Sequence, residues 1–206
     1  DYDFDLNANY VLIGLRRAGK STLLYKIVKK LDKKGIEWNQ IIYINFEDER
    51  LAEFSLNDFN DLLSVQAELT DKKGYFFLDE IQNIEGWEKF ARRMADSKEH
   101  TFITGSNAKM LSQEIENRLG GRYLTKYITP YNFTEFLTAK QIDFSDKSIF
   151  GTKESGKIKR EFSEYFYFGG FPEALNYQNK REYVSSIYQK VLLGDIAARN
   201  GIRNPN

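Results

Sequence analysis

Short apolar runs alternate with longer amphipathic stretches over the first 130 residues of the chain. Five of these runs are rich in β-branched or aromatic residues, which is typical of strands buried on both faces of a sheet. The predicted strands cover residues 10–13, 41–46, 75–78, 101–104 and 123–128. Because longer stretches separate them, the pattern predicts an α/β fold built around a parallel sheet.

The stretches between the strands carry apolar residues at helical spacing. Glycines beyond the first and last of them mark helix ends, and Ser55 is a candidate cap for the second. The predicted helices cover residues 21–34, 55–69, 87–94 and 108–119.

The pattern changes after Pro130, beyond which no further convincing strand is predicted. Residues 141–157 are polar and predict a loop or an insertion. Helices are predicted over residues 160–168 and 181–199, on either side of a sharp break at Gly169-Gly170-Phe171-Pro172-Glu173. We therefore place a domain boundary near Tyr131, with an α/β core over residues 1–130 and a small, mostly helical part over residues 131–206.

Charge and composition exclude several classes of protein. Lysine plus arginine equals aspartate plus glutamate, 30 each, which argues against a strong general attraction to DNA or to an anionic membrane. A local basic patch at residues 153–160 leaves DNA open as a partner. The chain has no cysteine and a single histidine, His100, so disulfides, thiolate zinc sites and histidine-rich metal clusters are excluded.

No apolar run reaches the roughly 18 residues that a membrane-spanning helix needs, and no secretory segment opens the chain. We therefore expect a cytoplasmic protein without a membrane partner. The chain has no initiator Met and stops abruptly at Asn206, so we expect a fragment of a longer protein.

The spacing Gly14-x-x-x-x-Gly19-Lys20-Ser21 matches a phosphate-binding loop between a strand and a helix. Its glycines let the backbone approach phosphates, and successive N–H groups with the helix N-terminus attract anionic charge. Lys20 is expected to bridge the β- and γ-phosphates, and the Ser21 hydroxyl to ligate Mg²⁺. The alternative is a glycine-rich helix cap without a ligand. The candidate nucleotide-binding residues are Gly14, Leu15, Arg16, Arg17, Ala18, Gly19, Lys20, Ser21 and Thr22.

A second acidic element follows the predicted strand at residues 75–78. Asp79 and Glu80 come at its carboxyl end, where buried carboxylates are costly unless they have a function. We expect Asp79 to hold Mg²⁺ through water and Glu80 to orient and polarise the attacking water. Alone, the pair also suits a strand that runs into a solvated turn. The glutamate favours hydrolysis over a small-molecule kinase reaction.

Ser106 and Asn107 follow the predicted strand at residues 101–104. Either short polar side chain is a candidate contact to the γ-phosphate or the attacking water, and the sequence does not decide between them. An ordinary turn with a helix cap is the alternative.

Arg122 lies between a predicted helix and the last predicted strand, and Arg118 precedes it by one helical turn. An arginine that reaches the γ-phosphate stabilises transition-state charge, and a neighbouring subunit often supplies it. Surface or interdomain ion pairs are the alternative for these arginines. Arg16 and Arg17 stand at variable-looking positions of the loop and also suit a solvated surface.

The motifs together resemble the bacterial and archaeal AAA-type ATPases whose ATPase domain precedes a C-terminal domain of unknown function. The resemblance runs from about Tyr10 to the end of the chain. It rests on Gly-Leu-Arg-Arg-Ala-Gly-Lys-Ser, Ile-Asn-Phe-Glu-Asp, Phe-Leu-Asp-Glu-Ile-Gln, Thr-Gly-Ser-Asn, Gly-Gly-Arg-Tyr, Tyr-Asn-Phe-Thr-Glu-Phe, Gly-Gly-Phe-Pro-Glu and Gly-Asp-Ile.

This resemblance implies a P-loop fold with strand order 5-1-4-3-2 and a helical lid after Tyr131. It further implies that Gln82 belongs to the acidic motif, that ATP is the nucleotide, and that Arg122 is the best arginine-finger candidate, in cis or from another subunit of a homo-oligomer. The family's C-terminal domain is expected to be missing.

The leading hypothesis is therefore a Mg²⁺-dependent ATPase. A nucleotide-switched binding module with little hydrolysis and a DNA-associated ATPase stay open as alternatives, and a P-loop kinase is the weakest rival.

Overall fold

A computed structural model of the protein describes residues 4–106, 117–144 and 152–190. The chain divides into two compact units. The first comprises residues 1–14 and 20–128, and the second comprises residues 15–19 and 129–206.

The first unit is built on a sheet of five parallel strands. Their order across the sheet is β2-β3-β4-β1-β5, which confirms the predicted α/β fold and strand order. The strands are β1 (Tyr10–Ile13), β2 (Ile41–Asn45), β3 (Tyr75–Asp79), β4 (His100–Gly105) and β5 (Leu124–Tyr127).

Burial follows the position of each strand in the sheet. All four residues of β1 are buried, as are most residues of β3 and β4, whereas the edge strands β2 and β5 are partly exposed. Parallel strands that are covered on both faces need continuous apolar runs. This explains why the sequence pattern located the three central strands so closely.

The first unit also contains three α-helices that are described from end to end: α1 (Lys20–Lys33), α2 (Phe59–Leu69) and α3 (Trp87–Asp96). α1 and α3 bury the apolar faces that the sequence predicts. α2 begins later than predicted, and Asp58, not Ser55, is its N-cap. The backbone N–H and hydroxyl of Ser55 both donate to the Asp58 carboxylate, at 2.7 and 2.8 Å, which holds the preceding segment in a turn.

The described part of the second unit contains α4 (Phe133–Ala139), α5 (Thr152–Phe168), a 3₁₀ helix (Pro172–Asn176) and α6 (Lys180–Gln189). Asn132 and Glu135 form a reciprocal capping box at the start of α4. The predicted break after α5 is a close backbone approach, since a Cβ on Gly170 would lie 1.9 Å from the carbonyl oxygen of Tyr131.

The prediction of a loop over residues 141–157 is wrong in its last part, because α5 begins at Thr152. Lys153, Glu154 and Lys157 lie in this first part of α5 and are strong helix formers even without an apolar face. Further along α5, the carboxylate of Glu161 is buried and accepts a hydrogen bond from Lys140. An ion pair thus replaces part of the apolar contact that an amphipathic helix usually makes at this position.

Two predicted helices lie partly outside the described residues. Only residues 117–119 of the predicted helix 108–119 are described, and they are helical. The predicted helix 181–199 corresponds to α6 as far as residue 189. No helix in the described part of the chain is long and apolar enough to cross a membrane.

Candidate functional site

Asp79 and Glu80 lie at the carboxyl end of β3, inside the first unit. Asp79 is 1% exposed and Glu80 is 8% exposed. Removing a carboxylate from water costs several kcal/mol unless other groups compensate it. The contacts that offset the cost of burying these two carboxylates therefore define the site.

The Asp79 carboxylate receives a hydrogen bond on each oxygen. The hydroxyl of Tyr43, on β2, donates to Oδ2 at 2.6 Å, and the hydroxyl of Thr104, on β4, donates to Oδ1. The Thr104 hydroxyl also accepts from the backbone N–H of Glu80 at 2.9 Å. The two strands that flank β3 thus fix the orientation of the carboxylate.

Burial raises the pKa of the Tyr43 hydroxyl, and the hydrogen bond to Asp79 raises it further. The phenol therefore stays protonated, and it remains a donor to the carboxylate over any ordinary working pH.

Glu80 adopts a left-handed backbone conformation, with φ 52° and ψ 42°. Its Oε2 accepts hydrogen bonds from the hydroxyl of Ser106 and from the amide of Gln82, both at 2.6 Å. Its Oε1 lies 3.6 Å from the ammonium nitrogen of Lys20. Backbone conformations of this kind in non-glycine residues are concentrated at functional sites.

Lys20 is the first residue of α1 and is 3% exposed. Its ammonium group donates to the carbonyl oxygen of Gly14 at 3.2 Å. A buried lysine needs a counter-charge, and the Glu80 carboxylate supplies it. Lysine, glutamate and serine side chains from three different elements are therefore brought together within the first unit.

Gly14 cannot be replaced by a larger residue without displacing the backbone. A Cβ at this position would lie 2.0 Å from the carbonyl oxygen of Ile128, just beyond β5. The first glycine of the predicted phosphate loop is thus required by the approach of a neighbouring segment as well as by any ligand.

Residues 15–19 belong to the second unit, where Arg17 has a left-handed backbone with φ 62°. The Arg17 guanidinium donates to Oε2 of Glu173 at 3.1 Å, and its carbon lies 5.5 Å from the centre of the Tyr183 ring. The Tyr183 hydroxyl donates to the same Glu173 oxygen at 2.9 Å. Burial raises the pKa of Tyr183 to about 12. Arg17 is therefore paired with Glu173, and both side chains remain exposed, at 36% and 52%, so the predicted solvated surface position still holds for Arg17.

Of the two candidates after β4, Ser106 is buried and lies beside Glu80. Asn107 lies outside the described residues. The role of each toward a phosphate stays a prediction.

Arg122 and Arg118 lie apart from this group. Arg122 donates to Asp96 at 2.6 Å, and Arg118 donates to Glu88 at 2.7 Å. Arg122 precedes β5, and Asp96 ends the helix before β4. Both therefore lie at the amino edge of the parallel sheet, opposite the edge that carries Asp79. Within one chain, Arg122 is not brought to Lys20 and Glu80.

Tyr43 and Thr104, which hold Asp79, were not predicted from the sequence. The missed signal was a hydroxyl inside each of two apolar strands that flank the acidic one. Gln82 was linked to the motif without a role, and the structure gives it one contact, to the Glu80 carboxylate.

The donor set at this edge suits a magnesium ion. Mg²⁺ prefers hard oxygen ligands and is usually held by one or two protein groups together with waters and substrate phosphates. Asp79 offers a carboxylate whose orientation is fixed, and Ser21 offers a hydroxyl in the first turn of α1. Within the described ranges, no group of three or more His, Asp or Glu side chains could hold a metal alone. These residues therefore suit a Mg²⁺ ion whose coordination is completed by waters and phosphate oxygens better than one held by protein ligands alone.

A family model described as an AAA domain matches residues 7–137, more than half of the chain. An uncharacterized protein of Methanocaldococcus jannaschii is 40% identical over 197 residues, covering 94% of this chain and 43% of the relative. An uncharacterized protein of Haemophilus influenzae is 36% identical over 198 residues, covering 94% of this chain and 47% of the relative. The chain therefore spans about half the length of the curated relatives that it matches.

Proposed function

Because the chain belongs to the AAA domain family of P-loop ATPases, we propose that it binds ATP with Mg²⁺ and hydrolyses the bond to the terminal phosphate. The observation that carries this proposal is the buried Glu80 carboxylate, 3.6 Å from the buried ammonium group of Lys20, with the buried carboxylate of Asp79 preceding it in the chain. A lysine at the start of a helix suits phosphate binding, and a carboxylate beside it suits activation of water.

In this proposal, the loop from Gly14 to Thr22 binds the phosphates. Its backbone N–H groups and the N-terminus of α1 attract the anionic phosphates. The Lys20 ammonium group exchanges its contacts with Gly14 and Glu80 for β- and γ-phosphate oxygens. That exchange keeps the lysine charge compensated in both states.

Ser21 and Asp79 would hold the metal, which when bound supplies Lewis-acid stabilisation of charge on the phosphate oxygens. The contribution of the chain is to present a carboxylate that is already oriented by Tyr43 and Thr104.

Glu80 acts as the general base in this proposal. The oxygen of a water attacks the γ-phosphorus, the bond to the ADP oxygen breaks, and the proton of the water passes to the Glu80 carboxylate. Ser106 holds one carboxylate oxygen, and Ser106 or Asn107 contacts the γ-phosphate. Arg122 completes the charge stabilisation from a second copy of the chain, since its place at the amino edge separates it from its own Asp79.

Glu80→Gln tests the proposal directly. The amide keeps the size of the side chain but cannot accept the proton, so ATP affinity should stay within a few-fold while turnover falls at least about 100-fold. Equilibrium binding of a fluorescent ATP analogue and steady-state phosphate release measure the two quantities. Glu85→Gln, an exposed position nearby, is the matched control and should leave both unchanged. Full turnover in Glu80→Gln would show that Glu80 is not the base. Lys20→Ala, by contrast, should weaken the binding of ATP itself.

A second candidate function is a nucleotide-switched binding module with slow hydrolysis. The observation that favours it is that Ser106, Gln82 and Lys20 already surround the Glu80 carboxylate. A base held in this way is not available to water until these contacts change. Phosphate release that stays near zero in the wild-type protein, with ATP tightly bound, would select this function over the ATPase.

A further inference from the structure

We propose that Tyr43 is a positioning residue for the metal site, holding the Asp79 carboxylate in the orientation that serves Mg²⁺. This inference rests on the proposed function, because it gives Asp79 a metal to serve. Tyr43 lies on β2, outside both the phosphate loop and the acidic motif.

The geometry around Asp79 leaves its carboxylate one orientation. Thr104 holds one oxygen from β4, and Tyr43 holds the other from β2 at 2.6 Å. These two donors come from opposite sides of β3. Loss of either donor frees the carboxylate to rotate about its side-chain torsions, whereas both together fix its plane.

Tyr43 is itself held by an aromatic stack. Its ring lies 4.8 Å from the ring of Tyr25, with an angle of 24° between the planes. Tyr25 lies on α1, four residues after Ser21, and residues at that spacing share a helix face. The stack therefore links the helix that carries Ser21 with the strand that carries Asp79, which are the two proposed sources of metal ligands.

This arrangement resembles what is generally found around metal ligands. Partners that hydrogen-bond to a ligating side chain fix its orientation, and their removal typically lowers metal affinity or activity by 10–100-fold. The Tyr43 hydroxyl holds the Asp79 carboxylate in this way, at 2.6 Å.

The test is Tyr43→Phe, which removes the hydroxyl and keeps the ring. Binding of a fluorescent ATP analogue is measured while Mg²⁺ is titrated, and again in excess EDTA. We expect the apparent affinity for Mg²⁺ to fall about 10-fold, with unchanged analogue affinity in EDTA. Electron paramagnetic resonance of Mn²⁺ in the presence of the analogue gives a second readout that does not depend on turnover.

Tyr10→Phe is the matched control. It removes a strand tyrosine hydroxyl that accepts from the backbone of Asp5 at the amino edge. It should leave the Mg²⁺ dependence unchanged whatever it does to stability. In an Asp79→Asn background, Tyr43→Phe should have no further effect on Mg²⁺, because its action passes through the Asp79 carboxylate.

Tyr25→Ala supplies a second variant should Tyr43→Phe fail to fold. Tyr25 is 51% exposed, and its removal takes away the ring that holds Tyr43, so it should shift the Mg²⁺ dependence in the same direction by a smaller factor.

Wild-type Mg²⁺ dependence in folded Tyr43→Phe overturns the inference while the proposed function stands. If Tyr43→Phe does not fold, wild-type dependence in Tyr25→Ala overturns it in the same way. Absence of analogue binding in the wild-type chain overturns the proposed function and the inference with it.

Discussion

The two edges of the central sheet hold charge in opposite ways. At the carboxyl edge Lys20, Asp79 and Glu80 are each at least nine-tenths buried and surrounded by fixed partners. At the amino edge the side chains of Arg122 and Asp96 form an ion pair while 39% and 59% exposed. The same parallel strands thus end in a buried polar network on one side and in a solvated surface on the other.

This difference in burial changes what each group of charges contributes to stability. Exposed ion pairs contribute about 0–1 kcal/mol. Buried ion pairs are often no more stabilising than apolar groups of the same size. A buried network at the carboxyl edge is therefore better explained by the chemistry proposed for it than by stability.

The largest effect is expected at Gly14, where the carboxyl edge leaves no room for a side chain. Gly14→Ala places a methyl group against the Ile128 carbonyl, so we expect a loss of about 3 kcal/mol in the free energy of unfolding and loss of ATP binding. Chemical denaturation and analogue binding measure these. Gly156→Ala, in α5 with nothing near the added methyl, should instead stabilise by about 0.5–1 kcal/mol. Equal stability changes in both variants would contradict the structure.

A second substitution tests the buried network itself. Thr104→Val leaves the Asp79 carboxylate oxygen and the Glu80 N–H without their shared partner. The free energy of unfolding should fall by about 1–3 kcal/mol for each group left unsatisfied.

Thr101→Val is the control on the same strand. Both threonines are fully buried, but among the described residues the Thr101 hydroxyl, which interacts with the Tyr123 hydroxyl, makes no hydrogen bond of good geometry. Its replacement should therefore be near neutral in urea denaturation. Equal losses from the two variants would show that Thr104 matters for packing and not for the network.

The smallest stability effect is expected at the amino edge. Arg122→Ala should change the free energy of unfolding by less than about 1 kcal/mol, because the Asp96 pair is exposed. If Arg122 serves a second copy of the chain, turnover falls in Arg122→Ala but not in Asp96→Asn, which keeps the guanidinium group. Equal turnover in the two variants would instead assign Arg122 to the surface of its own subunit.

The sequence predicted the sheet well because its physical signal is local. Central strands such as β1 are buried throughout, so their apolar runs are continuous and unlike any other stretch. The candidate residues at the carboxyl edge were predictable for the same reason, since parallel strands bring Lys20, Asp79 and Ser106 to one side once the strands are placed.

The rest depended on contacts that no local pattern contains. Tyr43 reaches Asp79 only because β2 pairs beside β3 in the observed register, and a one-residue slip would turn it to the other face. The start of α5 was missed because residues 152–157 are polar and carry no apolar face at helical spacing. The position of Arg122 followed from the strand direction, which the prediction of an arginine finger did not use.

Glu80 stands in a backbone conformation that glycine or asparagine adopts with less strain. A non-glycine residue in the left-handed region carries a penalty of order 1–3 kcal/mol. Glycine or asparagine would relieve that strain, but either would leave the buried Lys20 ammonium group without its counter-charge. Directed evolution for heat resistance would therefore have to change Lys20 and Glu80 together, and the two positions would be replaced as a pair.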